Sequence, residues 1–244
     1  MATKTSKPPK ATKIAPAHDP ASARGQKRRD LIKASTRVVL ERVGYRAMKV
    51  TDVAAEAQIA VGLFYHYFPD LKTATCEVLS DFLDEMAAAP MAEPKGRYDV
   101  IFATTLVMVN AFEEHPGLMR CLVQVTDEVP EFKALWNKVS TAWTHRVASS
   151  LERQFPDGRL SEGFSRILAY ALGAMADGLV NEIYLHRNPD ARRLMKTPRD
   201  VAEVLAAIWY RALYMENPPA SALTLTTPLH QMLVPAPVLT RTRK

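Results

Sequence analysis

Basic, hydroxyl-bearing and imidazole side chains gather between residues 27 and 72 of this chain, interspersed with small apolar residues. The members of this set are Lys27, Arg28, Lys49, Thr51, Ala60, Val61, Gly62, Leu63, Tyr65, His66, Tyr67 and Lys72. Cations and hydroxyls bind phosphate oxygens, while imidazole and small apolar groups suit the edges of bases, including the methyl group of thymine. Side chains of these types are suited to contact with nucleic acid.

The sequence has none of the residue patterns that would support catalysis. His115, His145, Cys76 and Cys121 are scattered along the chain and form no recognisable constellation. There is no Gly-x-Ser-x-Gly elbow, no glycine-rich phosphate loop, and no Cys-x-x-Cys or His-Glu-x-x-His metal pattern. We therefore expect a protein that is not an enzyme and that holds no metal or other cofactor.

The net charge of +6 is carried by one end of the chain. Residues 1–72 hold 14 lysines and arginines against 6 aspartates and glutamates, a balance of +8, whereas the remainder has a balance of −2. A basic end attracts phosphate, although a solvated basic face or a flexible tail would give the same count. The charge agrees with DNA binding without requiring it.

The two ends of the chain differ in composition from its middle. Residues 1–24 carry four lysines among Pro, Ala, Ser and Thr, which predicts a disordered basic arm that either aids solubility or attracts phosphate. Residues 217–244 are rich in Pro and Thr and are predicted to be a mobile tail, although their leucines and valines also suit packing onto the body of the protein.

The sequence features that indicate the cellular compartment of this protein agree with one another. The N-terminus has no apolar signal segment, and two widely spaced cysteines suit the reducing cytoplasm. The longest charge-free run, residues 217–240, contains five prolines and cannot form a spanning helix. We expect a cytoplasmic protein without a membrane partner.

Hydrophobic periodicity predicts an all-α fold whose first domain covers residues 25–71. From Gly25, apolar residues recur every three or four positions as far as Val43, and Gly44 supplies a left-handed stop. A second helix at about Val50–Ala57, a tight turn and a third helix at Val61–Phe68 follow the helix-turn-helix pattern. The predicted core of this unit is Val53, Ala54, Ile59, Phe64 and Phe68.

Longer helices are predicted in a second, larger domain at residues 72–216. One opens at Leu71 with Asp70 as its N-cap and ends near Ala88. The others are expected at 99–114, 117–127, 130–154, 161–187 and 199–216. Small residues between Ala169 and Gly178 favour close helix packing, and with the helix at 199–216 they predict a homodimer interface.

The segment from Arg28 to Thr75 resembles the DNA-binding domain of the TetR family of transcriptional regulators. The matching residues are Gly44-Tyr45 after the first helix, the pair Val53-Ala54, and the Gly-x-x-Tyr-x-x-Phe pattern of Gly62, Tyr65 and Phe68. The resemblance implies that the second and third helices read DNA and that Tyr65 touches the DNA backbone. It also implies that the C-terminal helices bind a small ligand and pair with a second copy.

Four positions depart from the family pattern. They are Gln58 in place of glycine, Ala60 in place of a polar residue, Lys49 in place of threonine, and Leu71 in place of the lysine that opens the fourth helix. Lys72 follows one position later and remains a candidate for phosphate contact. Because the third helix has few hydrogen-bonding side chains, base readout would depend on thymine methyl groups, His66 and Thr51.

The function implied by the resemblance is that of a ligand-responsive repressor that binds a palindromic operator as a homodimer. Its effector would be a small molecule of unknown identity. Large apolar residues that could line its pocket are Met108, Phe112, Met119, Trp136, Trp143, Tyr170 and Met175. The alternative is an architectural, nucleoid-type protein that binds DNA with little sequence preference, which the basic arm and the apolar third helix also fit.

Overall fold

The computed structural model describes residues 22–89, 95–124, 128–155 and 161–232. Within those ranges the chain forms ten α-helices and no β-strand, which confirms the all-α prediction. The helices are α1 Ala23–Val43, α2 Val50–Glu56, α3 Val61–Tyr67, α4 Leu71–Ala87, α5 Arg97–Glu114, α6 Pro116–Gln124, α7 Pro130–Gln154, α8 Glu162–Val180, α9 Pro189–Leu194 and α10 Pro198–Tyr214. None of these described helices has both the length and the apolar character needed to cross a membrane.

Helix α1 begins earlier than predicted because a serine caps it. The Ser22 hydroxyl accepts a hydrogen bond from the Gly25 amide at 3.0 Å, so residues 23 and 24 are helical rather than part of the basic arm. The rest of the predicted arm, residues 1–21, lies outside the described residues. At the other end Gly44 ends α1 as predicted, but with φ +74° and ψ 164° its positive-φ conformation lies outside the left-handed helical region.

The turn between α2 and α3 is a Schellman motif built around Gln58. The Ile59 amide donates to the Ala54 carbonyl at 2.9 Å, and the Gln58 amide donates to Ala55 at 3.1 Å. Gln58 itself has φ +52°, a left-handed conformation that favours glycine. This geometry aims α3 across α2 and buries Val53, Ala54, Phe64 and Phe68, while Ile59 is half-buried.

Three ion pairs in constant register hold α1 against α4. They join Arg29 to Glu77, Lys33 to Asp81, and Arg37 to Glu85. Members of each helix are spaced by four residues, so they form one row along each helix face. The row fixes α4, the first helix of the larger part of the chain, to the helix that supports α2 and α3.

Helix α6 crosses α1 at a close contact that only glycine permits. A Cβ added at Gly117 would lie 2.5 Å from Glu41 Cα, too near for any side chain. The Gly117 amide donates to the Glu41 carboxylate at 2.7 Å, so an acid of α1 caps the first turn of α6. His115 Nδ1 lies 3.5 Å from the other oxygen of the same carboxylate.

Residues 217–232 of the predicted tail lie on the body of the protein, which is the alternative that their leucines and valines suited. Two short 3-10 turns, Ala220–Ala222 and Thr227–Gln231, follow α10 and pack back onto it; we call residues 217–232 the strap. Its anchor is Glu203, a carboxylate only 2% exposed on α10. The amides and hydroxyls of Thr224 and Thr226 all donate to it, at 2.5–2.8 Å. Residues 233–244 of the predicted tail lie outside the described residues.

Candidate nucleic-acid interface

Helix α3 presents one exposed side to solvent. Its inner positions are filled by Phe64, which is fully buried, and by Leu63, which is half-buried. The predicted contact residues Ala60, Val61, Gly62, Tyr65 and His66 are exposed, and the Tyr65 side chain is 53% exposed. Thr51, at the start of the neighbouring α2, is exposed as well. These residues offer a short, mostly apolar surface with hydroxyl and imidazole groups.

Gly62 faces open space. A Cβ added there would meet no protein atom within 4 Å, and its backbone is not left-handed. Neither packing nor backbone conformation within the described chain therefore requires glycine at this position. A glycine at the start of α3 instead lets a partner approach the backbone of that helix closely.

Three of the predicted phosphate contacts flank this surface as cations with no ion-pair partner among the described residues. They are Lys27 and Arg28 in the first turns of α1, and Lys49 immediately before α2. The neighbouring cations of α1 are paired with acids, as described above for Arg29. The Asp52 carboxylate near Lys49 accepts from the Lys49 amide at 2.9 Å, which caps α2 and leaves the ammonium group to solvent.

Three predicted contacts are placed differently from expectation, and the first is Leu63, which packs against the core. Tyr67 is only 7% exposed and packs in the core, so its side chain is turned away from the exposed side of α3. The reason is helical geometry: Tyr67 lies three residues after Phe64 and shares its buried side. Lys72 is half-buried and pairs with Glu131 of α7, so it reaches phosphate only by exchanging that partner.

Comparisons with known proteins agree with this geometry. A family model described as bacterial regulatory proteins, tetR family, matches residues 32–71, and one described as the C-terminal domain of the transcriptional regulator EthR matches residues 102–215. The chain belongs to the TetR family of transcriptional regulators. It is accordingly a DNA-binding regulator, and α2, the turn at Gln58 and α3 are its helix-turn-helix.

Solved structures with the same fold have low sequence identity to this TetR-family chain. A candidate transcriptional regulator from Pseudomonas aeruginosa PAO1 is 18% identical with a TM-score of 0.60, and the match covers 77% of this chain and 90% of that one. A candidate TetR-family regulator from Syntrophomonas wolfei is 15% identical with a TM-score of 0.58, covering 77% and 95%. The fatty acid degradation regulator FadR from Bacillus halodurans is 17% identical with a TM-score of 0.55, covering 73% and 94%. No curated protein matches the sequence significantly.

Arg29 positions the helix-turn-helix of this TetR-family protein, a role that the sequence analysis did not assign. Its guanidinium donates to the Tyr67 carbonyl at 3.1 Å, lies 4.3 Å from the centre of the Phe68 ring and pairs with Glu77. It therefore ties the C-terminal end of α3 to α1 and α4. The sequence feature that could have revealed this role is the matching four-residue spacing of basic residues in α1 and acidic residues in α4.

The large apolar residues considered for an effector pocket have different environments. Phe112 and Met119 are fully buried in the main core, whereas Tyr170 is exposed on α8. Trp143 packs edge-on against Trp209 with ring centres 5.4 Å apart. Among the described residues, no cluster of three or more His, Cys, Asp or Glu side chains is arranged to hold a metal ion.

Proposed function

We propose that this TetR-family protein is a ligand-responsive repressor that binds a palindromic operator in cytoplasmic DNA as a homodimer. The observation that carries the proposal is the open, exposed side of α3 around Gly62, flanked by the cations Lys27, Arg28 and Lys49. A helix-turn-helix places such a helix in the major groove and its flanking cations on phosphates.

The contacts divide into two kinds in this proposal. Thr51, His66 and the small apolar groups at the start of α3 read base edges, with Val61 suited to thymine methyl groups. Leu63 is left out because it packs against the core. Lys27, Arg28, Lys49 and the Tyr65 hydroxyl position the protein on phosphates, and Lys72 joins them by leaving Glu131. Tyr67 is left out because its side chain is buried.

Replacement of Gly62 by alanine tests the DNA-reading part. Because no protein atom lies within 4 Å of the added methyl group, the fold should tolerate it, and helical alanine gains about 0.5–1 kcal/mol over glycine. The same methyl group should hold α3 away from the groove and weaken operator binding by about tenfold or more. A melting temperature that does not fall, together with unchanged operator affinity, would remove α3 from the interface.

Lys27→Ala tests the phosphate contacts independently. Loss of one phosphate contact should weaken binding to every DNA sequence and reduce the slope of log affinity against log salt by about one unit. Arg193→Ala is the matched control, because Arg193 is an exposed cation on α9 that pairs with Asp190. A slope that stays the same in Lys27→Ala would exclude Lys27 from the contacts.

An exposed apolar stripe on α8 supports the homodimer. Phe164, Ile167, Ala171, Ala174 and Gly178 recur at spacings of three and four and are all exposed, with Ile167 at 64%. On the neighbouring α10, Ile208 and Ala212 are exposed too. Such a stripe suits a two-fold four-helix interface, and a dimer places two reading helices on half-sites one helical turn apart.

The stripe is tested by placing a charge in it. Ile167→Glu should convert the dimer to a monomer in analytical ultracentrifugation and should reduce operator affinity, because only one half-site is then bound at a time. Val100→Glu, at another exposed apolar residue on α5, should leave the dimer intact. A dimer that survives Ile167→Glu would contradict the proposed interface.

The contact of α6 with α1 supports the proposed ligand response. Gly117 and Glu41 join the larger part of the chain to the helix that carries α2 and α3. At this point the two backbones are too close to move independently. A ligand that shifts α6 must therefore shift α1 or break this contact. Either change alters the separation of the two reading helices and so the affinity for the operator.

A further inference from the structure

A groove of about 640 Å³ lies between the first turn of α5, the side of α10 and the strap. Its lining combines three cations, Lys95, Arg97 and Arg199, with three aromatic residues, Tyr98, Phe102 and Tyr210. Asp99 is the acidic residue on the lining, and its carboxylate accepts from the Lys95 amide at 3.0 Å. The groove is thus an aromatic surface with an excess of positive charge.

The cations of the groove have no carboxylate partner among the described residues. The Arg97 guanidinium instead lies 5.0 Å from the centre of the Tyr214 ring, and that of Arg199 lies 4.9 Å from the centre of the Phe102 ring. Stacking occupies the faces of the two guanidinium groups. Their N–H edges are still able to donate to an anion.

The first turn of α5 adds backbone donors to the same groove. Its N-cap is Gly96, which lines the groove and makes no side-chain capping hydrogen bond. The first amides of an 18-residue helix therefore lack a side-chain acceptor, at the end where the helix dipole is positive.

Tyr98 lines the groove and has ring contacts with Phe102 and Tyr210. Its side chain is only 4% exposed, and its hydroxyl has no hydrogen-bond partner within the described part of the chain. Burial, and then the negative charge of Glu203, raise the pKa of Tyr98, so the hydroxyl stays protonated and can donate. Because this hydroxyl is closed off from the groove, Tyr98 contributes its ring rather than a donor to the lining.

We propose that this groove binds a small organic anion, a carboxylate on a flat apolar body. The carboxylate lies at the first turn of α5 and accepts from Arg97 and Arg199, while the body lies against Phe102 and Tyr210. A volume of about 640 Å³ is within the usual range for a drug-sized ligand. The strap forms the third wall, so its attachment through Glu203 is also what completes the site.

Isothermal titration calorimetry of the full-length protein with 2-naphthoate tests the proposal. The acid should bind, whereas 2-naphthamide, which has the same body without the charge, and acetate, which has the charge without the body, should bind at least about tenfold more weakly. Arg97→Gln and Arg199→Gln should each weaken 2-naphthoate binding by a similar factor. Arg192→Gln, at an exposed cation of α9 outside the groove, should not.

Two results would overturn the proposal: no heat of binding with 2-naphthoate at millimolar concentration, or binding that Arg97→Gln and Arg199→Gln leave unchanged. Melting of each variant shows that the fold is intact. Because the measurement contains no DNA, its failure would leave the proposed regulator function untouched.

Discussion

Gln58 stands in a conformation that costs free energy, so replacing it with glycine should stabilise the protein. A non-glycine residue in the left-handed region costs about 1–2 kcal/mol, and Gln58 has φ +52°. Its side chain is exposed and makes no hydrogen bond among the described residues, so nothing is lost with it. Glycine gives back about 0.5–1 kcal/mol through the entropy of the unfolded chain. We expect a net gain of about 0.5–1 kcal/mol.

The gain is measured by thermal unfolding at fixed protein concentration, since dimer formation makes melting depend on concentration. For a chain of this size it corresponds to a rise of about 1–4 °C. Gln58→Ala is the control: it removes the same side chain but keeps the strain, so it should melt close to the parent protein. A Gln58→Gly variant that melts no higher than Gln58→Ala would refute the assignment of strain to this turn.

Three further perturbations follow from the structure. Gly117→Ala should cost about 1–3 kcal/mol in urea unfolding, because its Cβ meets main chain at 2.5 Å, whereas Gly163→Ala, in open space, should not. Burial raises the pKa of Glu203, but the hydrogen bonds from the strap outweigh this effect and leave the pKa below 4.5. The contribution of Glu203 to the free energy of unfolding is therefore complete above the ordinary carboxyl pKa and is lost as the pH falls through the lowered pKa of Glu203. Below about pH 5, the melting temperature should depend less on pH in Glu203→Gln than in the parent protein. Tyr65→Phe should weaken binding to all DNA sequences equally, by about two- to tenfold in gel shifts, since it removes one phosphate-reaching hydroxyl; an effect confined to one sequence would contradict that role.

Local sequence features were sufficient to predict where a helix begins or ends when a single residue determines that position. Gly44 ended α1, Asp70 capped α4 by accepting from the Thr73 amide at 2.7 Å, and α7 has the bounds that its prolines and periodicity predicted. Helix α9 was missed although Asn188-Pro189 is a common helix start, with the Asn188 side chain accepting from two amides of the first turn.

Other features depended on contacts between residues distant in sequence. The strap is ordered because Glu203, an acid in an otherwise apolar face of α10, needs the donors of Thr224 and Thr226. Composition alone suggested a mobile segment there. Likewise, the charge count of residues 1–72 does not separate the cations of α1 that pair with Glu77, Asp81 and Glu85 of α4 from those that do not. Lys27 and Arg28 have no such partner among the described residues.

The central proposal, that the exposed side of α3 reads a specific operator, is tested most directly by selecting bound fragments from sheared genomic DNA. Affinities for selected and random duplexes are then compared at one salt concentration. We predict fragments with two-fold symmetric half-sites about one helical turn apart, bound more tightly than random duplex by about 10³-fold or more. Similar affinity for all fragments, without shared symmetry, would contradict the proposal and favour an architectural DNA-binding protein.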